Sequence, residues 1–198
     1  MSYPKSLSLS RAESKSWAKW QDYLELTKPG INLLVLVTTL TTMWVAEKGT
    51  PALDLVLMTL IGTGMAASSA GVFNHYIERN SDAIMSRTQS RPIPSGRVAP
   101  AEALAFGCGL GIASFAILSV FVNLLTAVIA LGGIAFYAII YTLWLKRRTP
   151  QNIVIGGAAG AVGPLIGWAA ITGQISVASI VMFAIVFFWT PPHFWSLA

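Results

Sequence analysis

Charge is scarce in this sequence. Asp, Glu, Lys and Arg make up 11% of its 198 residues, against about 25% in ordinary soluble domains, whereas hydrophobic residues make up 55%. Cysteine is scarcer still: the single Cys108 excludes an internal disulfide, and the absence of a CxxCH motif excludes covalent attachment of a c-type haem. Because several apolar runs reach the roughly 20 residues that a helix needs to cross a bilayer, we expect an all-α polytopic membrane protein.

Six apolar runs are candidates for transmembrane helices. They cover residues 29–46, 53–73, 101–122, 124–145, 153–171 and 175–190. Small residues spaced by four, such as Gly62, Ala66 and Ala70 in the second run, predict close contacts between helices. Pro191-Pro192 is expected to end or kink the sixth helix, because proline lacks the N–H that continues a helix.

The polar N-terminus is expected to form a unit of its own. Residues 1–28 are rich in Ser and Lys, and Trp17, Trp20 and Leu24 share one face of a predicted amphipathic helix in the headgroup region. Residues 29–198 then form one transmembrane domain. Because the sequence stops within an apolar run at Ala198, we expect a truncated chain.

Lysine and arginine are distributed unevenly between the two sides that this topology defines. The N-terminal segment, the Asn74–Pro100 loop and the Lys146–Asn152 loop hold twelve of the thirteen, and the opposite side holds only Lys48. The positive-inside rule therefore places both loops on the cytoplasmic face. The net charge of +5 indicates orientation rather than nucleic-acid binding, and the short N-terminus favours a bacterial inner (plasma) membrane over a mitochondrial inner membrane.

Asn74, Glu78 and Asp82 are spaced four residues apart at the end of the second apolar run. In a helix, residues at this spacing project from one face. Magnesium prefers oxygen ligands and usually takes one or two carboxylates together with substrate phosphates. The three residues therefore predict a magnesium site, with Mg²⁺ as cofactor, at the cytoplasmic boundary of the membrane.

A phosphate-bearing substrate also needs cationic donors. The candidates are Arg79, Arg87, Arg91, Lys146 and Arg147, and they predict that the two polar loops form one diphosphate-binding site. Two simpler interpretations stay open. The basic loops are also explained by membrane orientation alone, and Glu78 with Asp82 by a solvated helix face. His75 and His193 are candidate haem contacts because imidazole is a versatile ligand and base.

These motifs resemble a known family. The stretch from Asn74 to Asp82 resembles the NxxxDxxxD motif of the intramembrane prenyltransferases of the UbiA superfamily. Three stretches resemble the branch of that superfamily that farnesylates haem: Asn74–Pro100, Tyr141–Asn152 and Trp189–Trp195. The short stretch Leu26-Thr27-Lys28-Pro29 fits the same branch.

The resemblance implies a nine-helix bundle around a central cavity, of which six helices are present. It implies magnesium-dependent loss of diphosphate from farnesyl diphosphate, attack by a vinyl group of haem b, and addition of water to give haem O. It also implies downstream haem-handling membrane proteins as partners. A second acidic motif is expected beyond the sixth helix, so a chain ending at Ala198 is expected to be inactive by itself.

Two positions depart from the family pattern. Glu78 stands where the family has Asp, and Gly30 stands where it more often has Arg. A prenyltransferase for a quinone precursor or chlorophyllide remains an alternative within the superfamily. A small transporter remains an alternative outside it, although transporters more readily place ionisable residues in the middle of spans, whereas Asp54 and Glu102 lie near span ends.

Overall fold

The computed structural model describes residues 19–149 and 151–195 of the chain, and these residues form helices joined by turns. The helices are α1 (19–26), α2 (Pro29–Glu47), α3 (Leu53–Asp82), α4 (Pro100–Phe121), α5 (Leu124–Ala135), a π-helix (Phe136–Trp144), a 3₁₀ turn (Leu145–Arg147), α6 (Asn152–Gly160), α7 (Gly163–Thr172) and α8 (Val177–Trp195). The all-helical fold predicted from the sequence is confirmed.

Apolar side chains cover much of the outer surface. Ile31, Leu33 and Val37 of α2 are at least half exposed, and so are Ile185 and Phe188 of α8. Exposure of so much apolar surface to water is unfavourable, so these helices are surrounded by lipid. In the described part of the chain, five helical spans are long and apolar enough to cross a membrane, and Val177–His193 is a shorter apolar helix. The chain is a multi-pass membrane protein.

The long helix α3 lies at the centre of the bundle. It packs against α2, α4, α5, α7 and the π-helix, and most extensively against α4. Two serines join α3 to α4: Ser69 donates to the Gly107 carbonyl at 2.8 Å, and Ser114 donates to the Gly62 carbonyl at 2.7 Å. These contacts need small residues, because a Cβ on Gly62 would lie 2.5 Å from Leu118. The close helix contacts predicted at Gly62 are confirmed.

Three of the predicted spans differ from the structure in detail. The run 124–145 changes from α-helix to π-helix at Phe136. The run 153–171 is two helices, because Pro164 lacks an N–H and its ring would clash with the carbonyl four residues earlier, where α6 ends. The helix α8 continues through Pro191 and Pro192 to Trp195, so the prolines do not end it, and the alternative of a kink stays a prediction.

The N-terminal prediction is tested only in part. Trp17 and residues 1–16 lie outside the described residues, whereas α1 is helical and exposes Trp20 and Leu24. Leu26 at its end is fully buried and packs in a cluster with Val72 of α3 and Val98 of the 83–99 loop. The interfacial role of this helix stays a prediction.

Candidate active site

The last turns of α3 carry the three residues of the predicted magnesium site on one helix face. The Asn74 side chain is buried and donates from Nδ2 to Glu78 Oε2 at 3.1 Å. Asp82, two turns beyond Asn74, is also buried. The 1.5 Å rise per residue separates Asn74 from Asp82 by about 12 Å along the axis. One ion could therefore be held by two consecutive residues of the three, Asn74 with Glu78 or Glu78 with Asp82, but not by all three.

Both carboxylates are paired with cations from other segments. Lys146, in the 3₁₀ turn after the π-helix, donates from Nζ to Glu78 Oε1 at 2.5 Å. Arg91, in the 83–99 loop, donates from Nη1 to Asp82 Oδ2 at 2.7 Å. The two polar loops therefore lie at the same end of the bundle, as the charge distribution predicts.

A third cation, Lys28, was missed by the sequence reasoning as a site residue. It is the N-cap of α2, and its ammonium donates to Asn74 Oδ1 and lies 5.9 Å from the centre of the Tyr137 ring. Burial, together with the nearby positive charge of Arg91, lowers the pKa of Lys28 to about 8. The signal that could have found it is a lone lysine directly before Pro29, at the start of the first span.

The other candidate cations are placed elsewhere. Arg79 donates to the Tyr76 carbonyl at 2.7 Å, and its guanidinium lies 4.5 Å from the centre of the Tyr76 ring. Arg87 is exposed in the 83–99 loop, where it forms no ion pair with any residue that the structure describes. The side chain of Arg147 lies outside the described residues. The diphosphate-binding roles of these three stay predictions.

The two histidines differ in their surroundings. His75 is buried beside Asn74, and its Nδ1 has no hydrogen-bond partner among the described residues. His193 is exposed near the end of α8, with its ring 6.2 Å from that of Trp189. Contact of either imidazole with haem stays a prediction.

An apolar cavity lies directly below Lys28 and Asn74. It encloses about 600 Å³ of space not filled by protein atoms, part of which opens to the outside. Its lining follows one face of α3 from Thr63 through Ala67 to Gly71, and α2, α5, α6 and α7 complete it. Lys28 and Tyr137 stand at its polar end. The arrangement suits an amphiphile with a charged head and a long apolar tail.

The π-helix lines the polar end of this cavity through Tyr137. Thr142 donates to the Tyr137 carbonyl five residues earlier at 2.8 Å, which is the π-helical spacing, and it accepts from Asn74 Nδ2 at 3.2 Å. Tyr137 lines the cavity and stacks on Tyr141 with ring centres 5.2 Å apart. Thr142 was not singled out from the sequence, because one hydroxyl in an apolar run carries no distinctive signal.

The polar residues at the polar end of the cavity, called the rim below, are Asn74, Glu78 and Asp82 with Lys28, Arg91 and Lys146. Their side chains suit magnesium. The described residues contain no group of three His, Cys, Asp or Glu side chains suited to hold a metal ion. They offer instead two carboxylates and the amide of Asn74 within hydrogen-bonding distance of cations that suit phosphate. Magnesium keeps several waters and is commonly held by one or two carboxylates plus substrate phosphates. This set therefore suits an ion that arrives with a phosphate ligand.

Comparison with known proteins decides the family. Residues 35–198 match the sequence model of the UbiA prenyltransferase family. The chain belongs to this family. The predicted resemblance to UbiA prenyltransferases through the Asn74–Asp82 stretch is thereby confirmed.

Curated relatives of this UbiA family member share about half of its residues. It is 54% identical over 193 residues to a protoheme IX farnesyltransferase of Gloeobacter violaceus, which covers 96% of this chain and 63% of the relative. Identity to the enzymes of the same name from Symbiobacterium thermophilum and Synechocystis sp. is 52% over 178 residues and 50% over 193 residues. Those matches cover 90% and 98% of this chain, and 59% and 61% of the relatives. The chain thus spans about three fifths of these relatives' length.

Two solved structures share the fold. A digeranylgeranylglyceryl phosphate synthase superposes with a TM-score of 0.75 at 22% identity, covering 85% of this chain and 58% of its own. A UbiA homologue from Archaeoglobus fulgidus, solved with DMAPP and Mg²⁺, superposes with a TM-score of 0.68 at 18% identity, covering 85% and 60%. Both matches confirm the UbiA-type helical fold.

Proposed function

We propose that this chain carries the prenyl-diphosphate site of a haem farnesyltransferase. The proposed reaction transfers the farnesyl group of farnesyl diphosphate to a vinyl group of haem b and releases diphosphate, giving haem O after addition of water. The observation that carries the prenyl-diphosphate part is the junction of a cation-rich rim with an apolar cavity at Lys28 and Asn74. The choice of haem as acceptor is supported by the names of relatives about 50% identical.

The rim is suited to hold the diphosphate. Lys28, Arg91 and Lys146 present ammonium and guanidinium donors from three different segments toward one end of α3. Charge-assisted hydrogen bonds to phosphate oxygens are about twice as strong as neutral ones. Asn74, Glu78 and Asp82 would hold magnesium, which would supply further charge neutralisation for the leaving group. The bond from farnesyl C1 to the diphosphate oxygen then breaks, with the electron pair leaving on oxygen.

The cavity is suited to protect the farnesyl cation until the acceptor attacks. Its walls are mostly small and apolar, such as Ala66, Ala67 and Ala70, so little water competes with the vinyl carbon. The Tyr137 ring lines the cavity close to Lys28, and the quadrupole of such a ring attracts a cation. The terminal vinyl carbon forms a bond to farnesyl C1, which leaves the positive charge on the neighbouring vinyl carbon. Water adds to that carbon and releases a proton to solvent, which gives the hydroxyl of the product.

The proposed location follows from the charge distribution. The predicted topology assigns twelve of the thirteen Lys and Arg to the side that holds Lys28, Arg91 and Lys146, and the positive-inside rule then favours a cytoplasmic site in a bacterial inner membrane. The substrates suit this location, because an amphiphilic prenyl diphosphate can keep its head at the surface and its tail in the bilayer.

Product analysis tests the proposal. Full-length protein, in membranes or detergent, is given farnesyl diphosphate and magnesium with either haem b or 4-hydroxybenzoate, and products are identified by liquid chromatography and mass spectrometry. The proposal predicts haem O and no prenylated 4-hydroxybenzoate. Prenylation of 4-hydroxybenzoate without haem O would contradict the choice of acceptor, although it would leave the prenyl-diphosphate site intact.

A further inference from the structure

Each side chain of the motif on α3 is held by one cation from a different segment. The pairs are Asn74 with Lys28 of the α2 N-cap, Glu78 with Lys146 of the 3₁₀ turn, and Asp82 with Arg91 of the 83–99 loop. Each cation bonds to one oxygen that could ligate a metal: Asn74 Oδ1, Glu78 Oε1 and Asp82 Oδ2. For Asn74 the covered atom is Oδ1, and the amide nitrogen on the other side is not a ligand for magnesium.

We propose that these three cations are exchangeable partners, which hold the motif oxygens until a prenyl diphosphate arrives and then move to the phosphate oxygens. The exchange frees the oxygens for magnesium, so the metal and the diphosphate enter together rather than the metal first. This inference rests on the proposed function, because it concerns the diphosphate of the same site.

The charges of the cluster favour joint entry. Three cations face two carboxylates, which leaves the described cluster with a net positive charge. A free magnesium ion is repelled by that excess, whereas a diphosphate ester that carries one magnesium ion is still an anion and is attracted by it. Diphosphate also offers the displaced cations new oxygen partners, so no ammonium or guanidinium is left unpaired in a partly buried place.

The pair of Glu78 and Lys146 is the one that opens most readily. The Lys146 side chain is 43% exposed, whereas the pair of Asp82 and Arg91 is only 5% and 24% exposed. Partly exposed ion pairs contribute little free energy, because water and salt screen them. Movement of the flexible Lys146 side chain uncovers Glu78 Oε1 without any change in the backbone.

Substitution of Lys146 gives opposite effects on the two ligands if the exchange takes place. We would measure Mn²⁺ binding by electron paramagnetic resonance and pyrophosphate binding by calorimetry in metal-free buffer, for the protein and for Lys146→Met. Removal of the competing ammonium should tighten Mn²⁺ binding about fivefold, the size expected for one partly exposed ion pair. The same substitution should weaken pyrophosphate binding by a similar factor, because one phosphate donor is lost.

Arg148→Met is the matched control. It removes the same charge two residues further along the chain, but Arg148 is exposed and its guanidinium lies 5.8 Å from the centre of the Trp144 ring rather than on the motif. We expect it to change Mn²⁺ binding less than twofold, since a distant exposed charge is screened. An equal gain in Mn²⁺ affinity in both variants would show a general field effect and would contradict the exchange.

The remaining outcomes separate the exchange from the proposed function. If Lys146→Met leaves Mn²⁺ binding unchanged, or weakens the binding of both Mn²⁺ and pyrophosphate, the proposed exchange is wrong while the diphosphate site stands. If the unsubstituted protein binds neither Mn²⁺ nor pyrophosphate, both the exchange and the proposed function are wrong.

Discussion

Lys28 combines an unusual backbone with an unusual side-chain environment. Its φ of 53° lies in the left-handed region, which costs an L-residue about 1 kcal/mol, and a residue before proline ordinarily prefers an extended backbone. The Asn32 amide holds the turn by donating to the Thr27 carbonyl at 2.8 Å. This backbone points the ammonium at Asn74 and at the polar end of the cavity. A partly buried lysine held in this way is suited to bind a phosphate.

We predict that Lys28→Met raises the KM for farnesyl diphosphate about tenfold, as expected from loss of one charge-assisted hydrogen bond. Lys48→Met is the control, because Lys48 has nearly the same backbone conformation, with φ 57°, at the other end of α2. Steady-state kinetics of both variants check this. Equal KM values for the two variants would remove Lys28 from the diphosphate site.

Asp82 is expected to matter through its charge. Asp82→Asn keeps the shape of the side chain but removes a carboxylate that is 5% exposed and paired with Arg91. We predict a fall in turnover of about a hundredfold, the size typical of loss of one preorganised electrostatic group, with the protein still inserted and monodisperse. Asp54→Asn, an exposed residue in the first turn of the same helix, should leave turnover unchanged. Normal turnover of Asp82→Asn would remove Asp82 from the site.

Helices α2 and α7 approach each other so closely that only glycine fits between them. A Cβ on Gly167 would lie 2.3 Å from the carbonyl oxygen of Thr39, which is helix backbone and cannot move aside. These two helices form two walls of the cavity. The spacing of small residues in the sequence predicts such contacts in general, but it does not say which helix is the neighbour, because any closely packed helix satisfies the pattern.

Gly167→Ala should therefore destabilise the bundle, and we predict that the free energy of unfolding falls by about 1–3 kcal/mol because of overpacking. Gly109→Ala on α4 is the matched control, because a Cβ at Gly109 has no atom within 4 Å among the described residues. Thermal unfolding in detergent should show a lowered Tm for Gly167→Ala alone. Equal Tm values would mean that the two helices are not in tight contact.

The 83–99 loop is fastened to α1 by Arg97. Its guanidinium pairs with the buried Asp22 and with Glu25, at 3.2 Å for the latter, and donates to the Ser90 carbonyl at 2.6 Å. We predict that Arg97→Gln costs about 1–2 kcal/mol of local stability, less than a fully buried pair would, because Arg97 is 40% exposed.

Hydrogen exchange measured by mass spectrometry checks this prediction. Amides of residues 83–99 and of α1 should exchange faster in Arg97→Gln. They should not do so in Arg87→Gln, since Arg87 is exposed in the same loop. Unchanged hydrogen exchange in Arg97→Gln would show that the apolar contacts of residues such as Ile93 and Val98 are sufficient to hold the loop.

The helices and their order follow from hydropathy and spacing, but their local breaks do not follow as easily. Continuation of α3 to Asp82 was predictable, because the i, i+4, i+8 spacing requires a helix there. The break before α7 had a signal in Pro164, four residues after Gly160. The sequence carries no signal for the π-helix that begins at Phe136, because hydropathy does not depend on which carbonyl each N–H bonds to.

At the level of the entire bundle, the charge distribution predicted that both polar loops share one face, and the ion pair of Lys146 with Glu78 confirms it. Residue composition could not reveal which cation contacts which oxygen, since that depends on helix rotation and on the backbone of Lys28. The central claim is that the diphosphate binds at this face while the farnesyl chain enters the cavity below it.

Photolabelling tests this claim most directly. The protein is irradiated with a farnesyl diphosphate that carries a photoreactive group at the far end of its chain, and the labelled residues are located by mass spectrometry. We predict labels on the cavity face of α3 and α5, at residues such as Thr63, Ala67 and Ala130, with loss of labelling when unmodified farnesyl diphosphate competes. Labels confined to lipid-facing residues such as Leu57 and Ile112 would contradict the account.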